Sequence, residues 1–486
     1  MPSEPQTSVP TSTTAADAQP QLRRVLGLWD LVFYGIVLIQ PVAAVGIFGI
    51  ANQNSKGHVT TTILIAMVAM MFTAVSYGRM AAHYPVAGSA YTYVGRALNP
   101  HLGFIVGWAM FLDYLIIPVI SIAYGAISLI QLFPETMKAW DSKILQTLHI
   151  TTTLADHLQP TYIITVIVLT ALVTFLNMRG IRWAARTNEI LLAIMSIAIV
   201  IFLFDAIRYL TGHSGVQSLF STLPLYNPKT FQLAPVWTAT SIAALTYIGF
   251  DGITTLSEET KDPKKTVARA TVLVCLLTGI ICGAQVYLAQ LVWPDYTTYS
   301  SADTAFFDVC GKVGGLFLNH IFAAIMVVAS IGSALGGQLG AARVLYGMGR
   351  DNALPKKFFG RLDPKRNSPT FNIVLIGGLA LTIAICLSYA EAVPILNFGA
   401  FLAFMGVNAS VIRELVLRTP AGHRRNWVFD LILPFLGFAF CAVIWVYLPR
   451  QAMTYGGIWC ALGIAYAAYK TRGFRQKPVM IDLSGA

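Results

Sequence analysis

Charge is scarce in this chain. Only 11% of its 486 residues are Asp, Glu, Lys or Arg, against about 25% in soluble domains, so water cannot be its main solvent. Cysteine is sparse as well: Cys275, Cys282, Cys310, Cys386, Cys441 and Cys460 lie mostly in apolar runs without metal-ligand spacing. That argues against a disulfide framework and for small buried side chains. Residues 1–25, rich in Ser, Thr, Pro, Gln and Ala, lack the basic start, short apolar core and cleavage site of a signal peptide, and read as a disordered tail. No repeated pore loop or charged ring points to an ion channel. No nucleophile, base and metal constellation points to a membrane enzyme.

What the chain has is apolar length. Hydrophobic residues make up 56%, and runs of the ~20 residues needed to cross a bilayer core recur about twelve times. They fall near 28–50, 60–80, 102–130, 161–177, 190–209, 236–257, 268–292, 315–347, 370–388, 392–413, 428–447 and 454–469. The run at 315–347 exceeds one crossing, so it tilts or continues as helix beyond the membrane. The net charge of +11 suggests nucleic acid until its distribution is considered. With the N-terminus inside, 26 of the 33 lysines and arginines lie on the side of both termini, and only Lys56, Lys138, Lys143, Arg208, Lys229, Lys312 and Arg450 on the other. This positive-inside bias places both termini in the cytoplasm and excludes a nucleic-acid partner. The basic stretch from Lys356 to Arg366 fits an anionic lipid surface.

Two runs are interrupted. The first carries Gln40-Pro41 and then Val45-Gly46-Ile47-Phe48-Gly49, and the sixth carries Tyr247-Ile248-Gly249-Phe250-Asp251-Gly252. Proline removes a helical hydrogen bond and glycine tolerates unwinding. Broken backbone at membrane depth occurs only where it lines protein or a cavity. If the first ten helices form two halves of five, spans one and six correspond, and a matched pair of breaks is the sequence pointer to a transporter site. Close packing through glycine is the alternative. Asp113 and Asp251 fall at membrane depth, where a charge costs about 2.5–3.5 kcal/mol on insertion scales. Each is a candidate to bind a substrate ammonium or a coupling proton, or else a structural carboxylate held by helix ends or by Tyr114. Glu258 and Glu259, at the end of the sixth span, are solvated helix-end residues or cytoplasmic gate candidates. Ser330 and Ser333 are weak sodium candidates, since serine in membrane helices usually bonds locally.

Tyr84-Pro85-Val86-Ala87-Gly88-Ser89-Ala90-Tyr91, Gly249-Phe250-Asp251 with Glu258-Glu259, and Arg343 through Tyr346-Gly347-Met348-Gly349-Arg350-Asp351 to Leu354-Pro355 together resemble the amino acid, polyamine and organocation transporter superfamily. Ser76-Tyr77-Gly78, Asn99-Pro100-His101, Gly107-Trp108, Leu112-Asp113-Tyr114-Leu115 and Thr254-Thr255-Leu256-Ser257-Glu258-Glu259-Thr260 are most similar to bacterial putrescine importers. The resemblance implies an all-α membrane fold of about twelve helices, an inverted five-plus-five repeat with helices one and six broken, plus two extra helices. It divides the chain into a tail at 1–25, a first repeat at 26–210, an extracytoplasmic loop at 211–234, a second repeat at 235–415, a cytoplasmic loop with helices 11 and 12 at 416–469, and a tail at 470–486. It further implies a secondary transporter in a bacterial inner membrane, importing a polyamine or amino acid by alternating access, or an amino acid permease or exchanger. Such a protein has no enzymatic cofactor; its co-substrate would be a proton or sodium ion.

The substrate-binding set expected on this basis is Gln40, Ala44, Val45, Gly46, Asp113, Tyr114, Tyr247, Gly249, Phe250 and Asp251. One departure stands out. Those importers carry an acidic residue in the first break where this chain has Gly46, so one ammonium anchor is missing. Met195 stands where some proton-coupled members have lysine. Ala44-Val45-Gly46 occupies the turn whose amides hold the substrate carboxylate in amino acid transporters, and free amides at a half-helix start favour an anion by about 0.3–2 kcal/mol.

Overall fold

The computed structural model describes residues 24–84, 89–149, 155–179, 184–350, 354–363, 368–418 and 425–476, without the side chains of 184–189 and Glu258. Outside this description lie most of both tails, Pro85–Gly88 and Asp351 of the sequence motifs, and Lys365 and Arg366.

Every regular element described is helical. The main helices are α1 (Leu28–Ile39), α2 (Ala43–Asn54), α3 (Val59–His83), α4 (Ser89–Ala97), α5 (Pro100–Leu132), α6 (Pro134–Thr147), α7 (Pro160–Arg179), α8 (Ala184–Ser214), α9 (Leu233–Ala243), α10 (Pro263–Val292), α11 (Ala305–Arg350), α12 (Lys356–Phe359), α13 (Thr370–Cys386), α14 (Tyr389–Val411), α15 (Leu433–Val446) and α16 (Arg450–Lys470). Among the described residues nine stretches are long and apolar enough to cross a membrane, and the bent pair α1–α2 makes a tenth. The 17-residue apolar α13 and α16, a 21-residue helix, account for the remaining two of the sequence reading. The long run at 315–347 is part of a 46-residue helix, kinked at Gly315 (φ 65°).

Local sequence sets the helix ends. Asn99 caps α5 by accepting the His101 backbone N–H at 2.8 Å, with Pro100 as the first helical residue, where its missing N–H costs nothing. Ser388 and Glu391 form a capping box on α14. Helices α3, α5, α10, α11 and α14 form the centre, while α7, α8 and α15 lie outside and turn Ile164, Ile167, Val168, Ile197, Val200, Phe204 and Phe435 outward. Lipid is as apolar as leucine, so burial alone does not hold such helices together, and close contact between small residues does. At Gly78 of α3 a Cβ would come within 2.4 Å of the Ala268 backbone in α10, so any larger residue there forces the two helices apart.

Helix α16 is clasped to α5 by two indoles. Trp108 Nε1 donates to the Trp459 carbonyl and Trp459 Nε1 to the Trp108 carbonyl, each at 2.9 Å. The rings stack with centroids 4.9 Å apart. On the face bearing the termini, Arg79 of α3 forms an ion pair with fully buried Asp430 in the π-helical turn Val428–Ile432. The described cysteines are all free: four are buried, Cys460 is half-buried and Cys386 is exposed.

Candidate functional site

The first crossing bends by 52° between α1 and α2. Gln40 ends α1 with φ 62°, and the Pro41 carbonyl freed by the bend accepts the Gln285 side-chain amide of α10 at 3.0 Å. The break is therefore satisfied by protein, as backbone at membrane depth must be. In the sixth crossing α9 passes into a 3₁₀ turn at Ala244–Tyr247, breaks at Ile248-Gly249, and resumes as a 3₁₀ helix at Phe250–Glu259. Gly249 sits at φ 115°, which only glycine adopts readily. Leu38 backbone lies 3.5 Å from where a Gly249 Cβ would be, so the two breaks meet.

Around this junction the side chains form an acceptor-rich cluster. Half-buried Asp251 faces the backbone of Gly249 and Gly252. Asp113, half-buried on α5, faces the Ala400 backbone and is close enough to Asp251 to feel its charge. Its Oδ1 is buried with no hydrogen-bond partner. The Tyr77 hydroxyl is buried and unpartnered too, and the buried Tyr93 hydroxyl lies beside Thr254 without a well-formed hydrogen bond; both lie in the field of Asp251. Phe250 packs edge-on to Tyr77 at 5.4 Å and against Phe404 at 5.3 Å. Tyr114 lies in the field of both carboxylates, and Tyr34 of α1 in that of Asp251. Three unbonded oxygens beside a second carboxylate and aromatic rings suit an ammonium, which supplies donors and a charge for ring faces.

The other expected residues have partners of different kinds. Gln40 donates to the Ala329 carbonyl of α11 at 3.3 Å. Tyr247 is fully buried and donates its hydroxyl to the Ile63 carbonyl at 2.9 Å. At the start of α2 the amides are less free than a bare helix end would offer: Ala43 N–H donates to Gln40 O and Val45 N–H to Val42 O, both at 2.9 Å. Ala44, Val45 and Gly46 are buried. A Cβ at Gly46 would stand 2.6 Å from Tyr389 Oη and 3.3 Å from Tyr124 Cζ, so the space beside Gly46 is filled by two tyrosines. Ser333 accepts from Ser121 at 2.9 Å, and buried Ser330 packs on Gly125.

Glu259 acts here through its backbone. Its carbonyl accepts the N–H groups of Val25 and Leu26 at 2.9 and 3.0 Å, and the Lys261 N–H donates to the Leu26 carbonyl at 2.8 Å. The segment leading into α1 is thereby tied to the end of the sixth crossing. The Glu258 side chain lies outside the described residues. Sequence reasoning missed Tyr34, Tyr77, Tyr93 and Phe404. The first three lie in or beside spans already recognised, and their aromatic–hydroxyl chemistry at membrane depth was the available signal.

A many-helix bundle with two touching breaks and an unsatisfied polar cluster between them defines a membrane transporter. The family model of amino acid permeases matches residues 42–459, and the chain belongs to that family. It is 34% identical over 473 residues to the low-affinity putrescine importer PlaP of Escherichia coli K12, covering 96% of this chain and 97% of the relative. It is 28% identical over 463 residues to the branched-chain amino acid permease BcaP of Lactococcus lactis, with 94% and 96% covered. It is 26% identical over 419 residues to the vacuolar cationic amino acid transporter 4 of Arabidopsis thaliana, with 83% and 64% covered.

Proposed function

We propose that this chain is a secondary transporter importing a polyamine of the putrescine type, with Asp251 as the ammonium anchor and Asp113 as its neighbour. The observation that carries the reading is the cluster of unbonded acceptors, Asp113 Oδ1, Tyr77 Oη and Tyr93 Oη, around the field of Asp251. An apolar solute would leave them unsatisfied, at about 1–3 kcal/mol each, and an anionic one would leave Asp113 Oδ1 without a donor and face two carboxylates. An ammonium satisfies them and gains about 0.5–2 kcal/mol from a ring face. The likeness to a putrescine importer supports it.

Both termini face the cytoplasm by the charge distribution, and the membrane is a bacterial inner membrane. Helices one and six rock against the remaining bundle, opening the site to each side in turn. The cycle moves solute and forms no covalent bond, so the protein is not an enzyme. A dication entering down an inside-negative potential gains about 4.6 kcal/mol per 100 mV, enough for roughly thousandfold accumulation without an ion gradient. A zwitterionic amino acid would require a coupled proton or sodium ion, or exchange. That second reading is supported by the likeness to amino acid permeases.

Uptake of radiolabelled putrescine into proteoliposomes under an imposed potential, with no proton or sodium gradient, tests the proposal. Uptake that disappears in Asp251→Asn is the expected result. Failure to take up putrescine, with leucine or lysine transported instead, moves the protein to the amino acid branch.

A further inference from the structure

A second constellation sits on the opposite side of the first break from Asp251. Ala302 precedes α11, and its carbonyl lies where a Gly49 Cβ would come within 2.2 Å, so residues 302–304 lie directly on α2. Gly49 is one helical turn from Gly46, which is overlaid by Tyr389 and Tyr124. The two rings are in contact, with centroids 4.8 Å apart. That loop carries Asp303, whose charge acts on Tyr124, Tyr162 and Tyr389.

Two polar atoms there have no bonding partner: Asp303 Oδ1, and the hydroxyl of Tyr124, a residue only 3% exposed. A carboxylate oxygen and a phenol hidden from water without a bond are costly to maintain. Such orphans in a native fold point to a missing ligand. Asp156, from the connection between α6 and α7, adds a second negative charge near Asp303, so the field favours a cation. No cationic side chain acts on Asp303 among the interactions described for it.

We infer that Asp303, Tyr124 and Tyr389 form an outer ammonium site, which receives the amine of the incoming solute above the first break before it reaches Asp251. The inference rests on the reading of the solute as an amine, yet it holds for any ammonium-bearing substrate. An organic ammonium supplies the N–H donors that both orphan oxygens lack, and its charge is held between a carboxylate and two ring faces. The site also supplies, from a different element, the acidic group that the first break lacks at Gly46.

The test is the kinetics of uptake for putrescine and for leucine in wild type, Asp303→Asn, Asp303→Glu and Tyr124→Phe proteoliposomes, read on whichever substrate the wild type carries. An outer site raises KM about tenfold in Asp303→Asn, with kcat within about twofold, and Asp303→Glu recovers most of the loss. Tyr124→Phe deletes only an unbonded hydroxyl, and raises KM by roughly threefold. It carries the test alone if Asp303→Asn does not accumulate as folded protein. Wild-type KM in both Asp303→Asn and Tyr124→Phe overturns the site. A wild type that carries leucine and not putrescine overturns the polyamine proposal instead, and the same variants then decide the outer site on leucine.

Discussion

Replacing Gly249 by alanine separates backbone strain from crowding. The nearest atoms to a Cβ at this position belong to Leu38 at 3.5 Å, an ordinary van der Waals distance, so the methyl group fits. What it meets is its own backbone: φ is 115°, and a residue with a Cβ held in such a region costs about 1–3 kcal/mol. The strain is relieved by rotating Gly249 toward the helical region, which straightens the sixth crossing and carries Asp251, two residues on, away from the break. If the broken form is disfavoured by that amount, the competent population falls by roughly 5- to 150-fold, and uptake at limiting substrate falls with it. Gly252→Ala is the matched control. A Cβ there comes 2.7 Å from Leu38 Cδ1, the movable end of a side chain, and Gly252 has no positive φ, so uptake stays within about threefold. The assay is initial uptake rate, normalised to folded transporter, in parallel for both variants. Equal rates for Gly249→Ala and wild type would refute the argument that the break depends on a glycine conformation.

Other consequences follow from the same geometry. The titratable groups facing Asp303 are Asp156 and the tyrosines Tyr124, Tyr162 and Tyr389. Burial, with Asp156 adding, pushes the Asp303 carboxyl up to about 6. The ionised form binds an ammonium, so KM rises as external pH falls through about 6, and Asp303→Asn flattens that profile. Arg79→Met removes the cation paired with fully buried Asp430 and costs about 3 kcal/mol, read as loss of monodisperse protein in detergent. Leu26→Pro deletes one of the three backbone bonds joining the α1 entry to Glu259 and Lys261. It costs about 0.5–1.5 kcal/mol, and greater protease access to α1 than in Leu26→Ala would report it.

Much of the architecture was legible because membrane insertion requires long apolar runs, and these are local in sequence. Every expected span has a helix, and both expected breaks are present, since Gln40-Pro41 and Gly249 act on their own backbone. The kink at Gly315 and the polar helix α6 were not foreseen. Glycine is common in membrane helices, and α6 has no buried residue whose periodicity could announce it. Which atoms remain unbonded was equally hidden. Tyr247 read as a site residue from its place in the motif, yet its hydroxyl is taken by Ile63 in α3, a partner 184 residues away. Asp303, in a polar stretch, reads as solvated until Ala302 is seen against Gly49.

The stacked pair Trp108 and Trp459 makes the bundle self-reporting. Two indoles 4.9 Å apart and only 20° from parallel couple their electronic transitions, so the near-ultraviolet circular dichroism of the protein should contain an exciton component that neither ring produces alone. The component belongs to the contact between helices α5 and α16. If these stay together while helices one and six move, it persists unchanged through substrate turnover. If α16 swings away, it disappears, and motion of the bundle becomes visible by light without any added label.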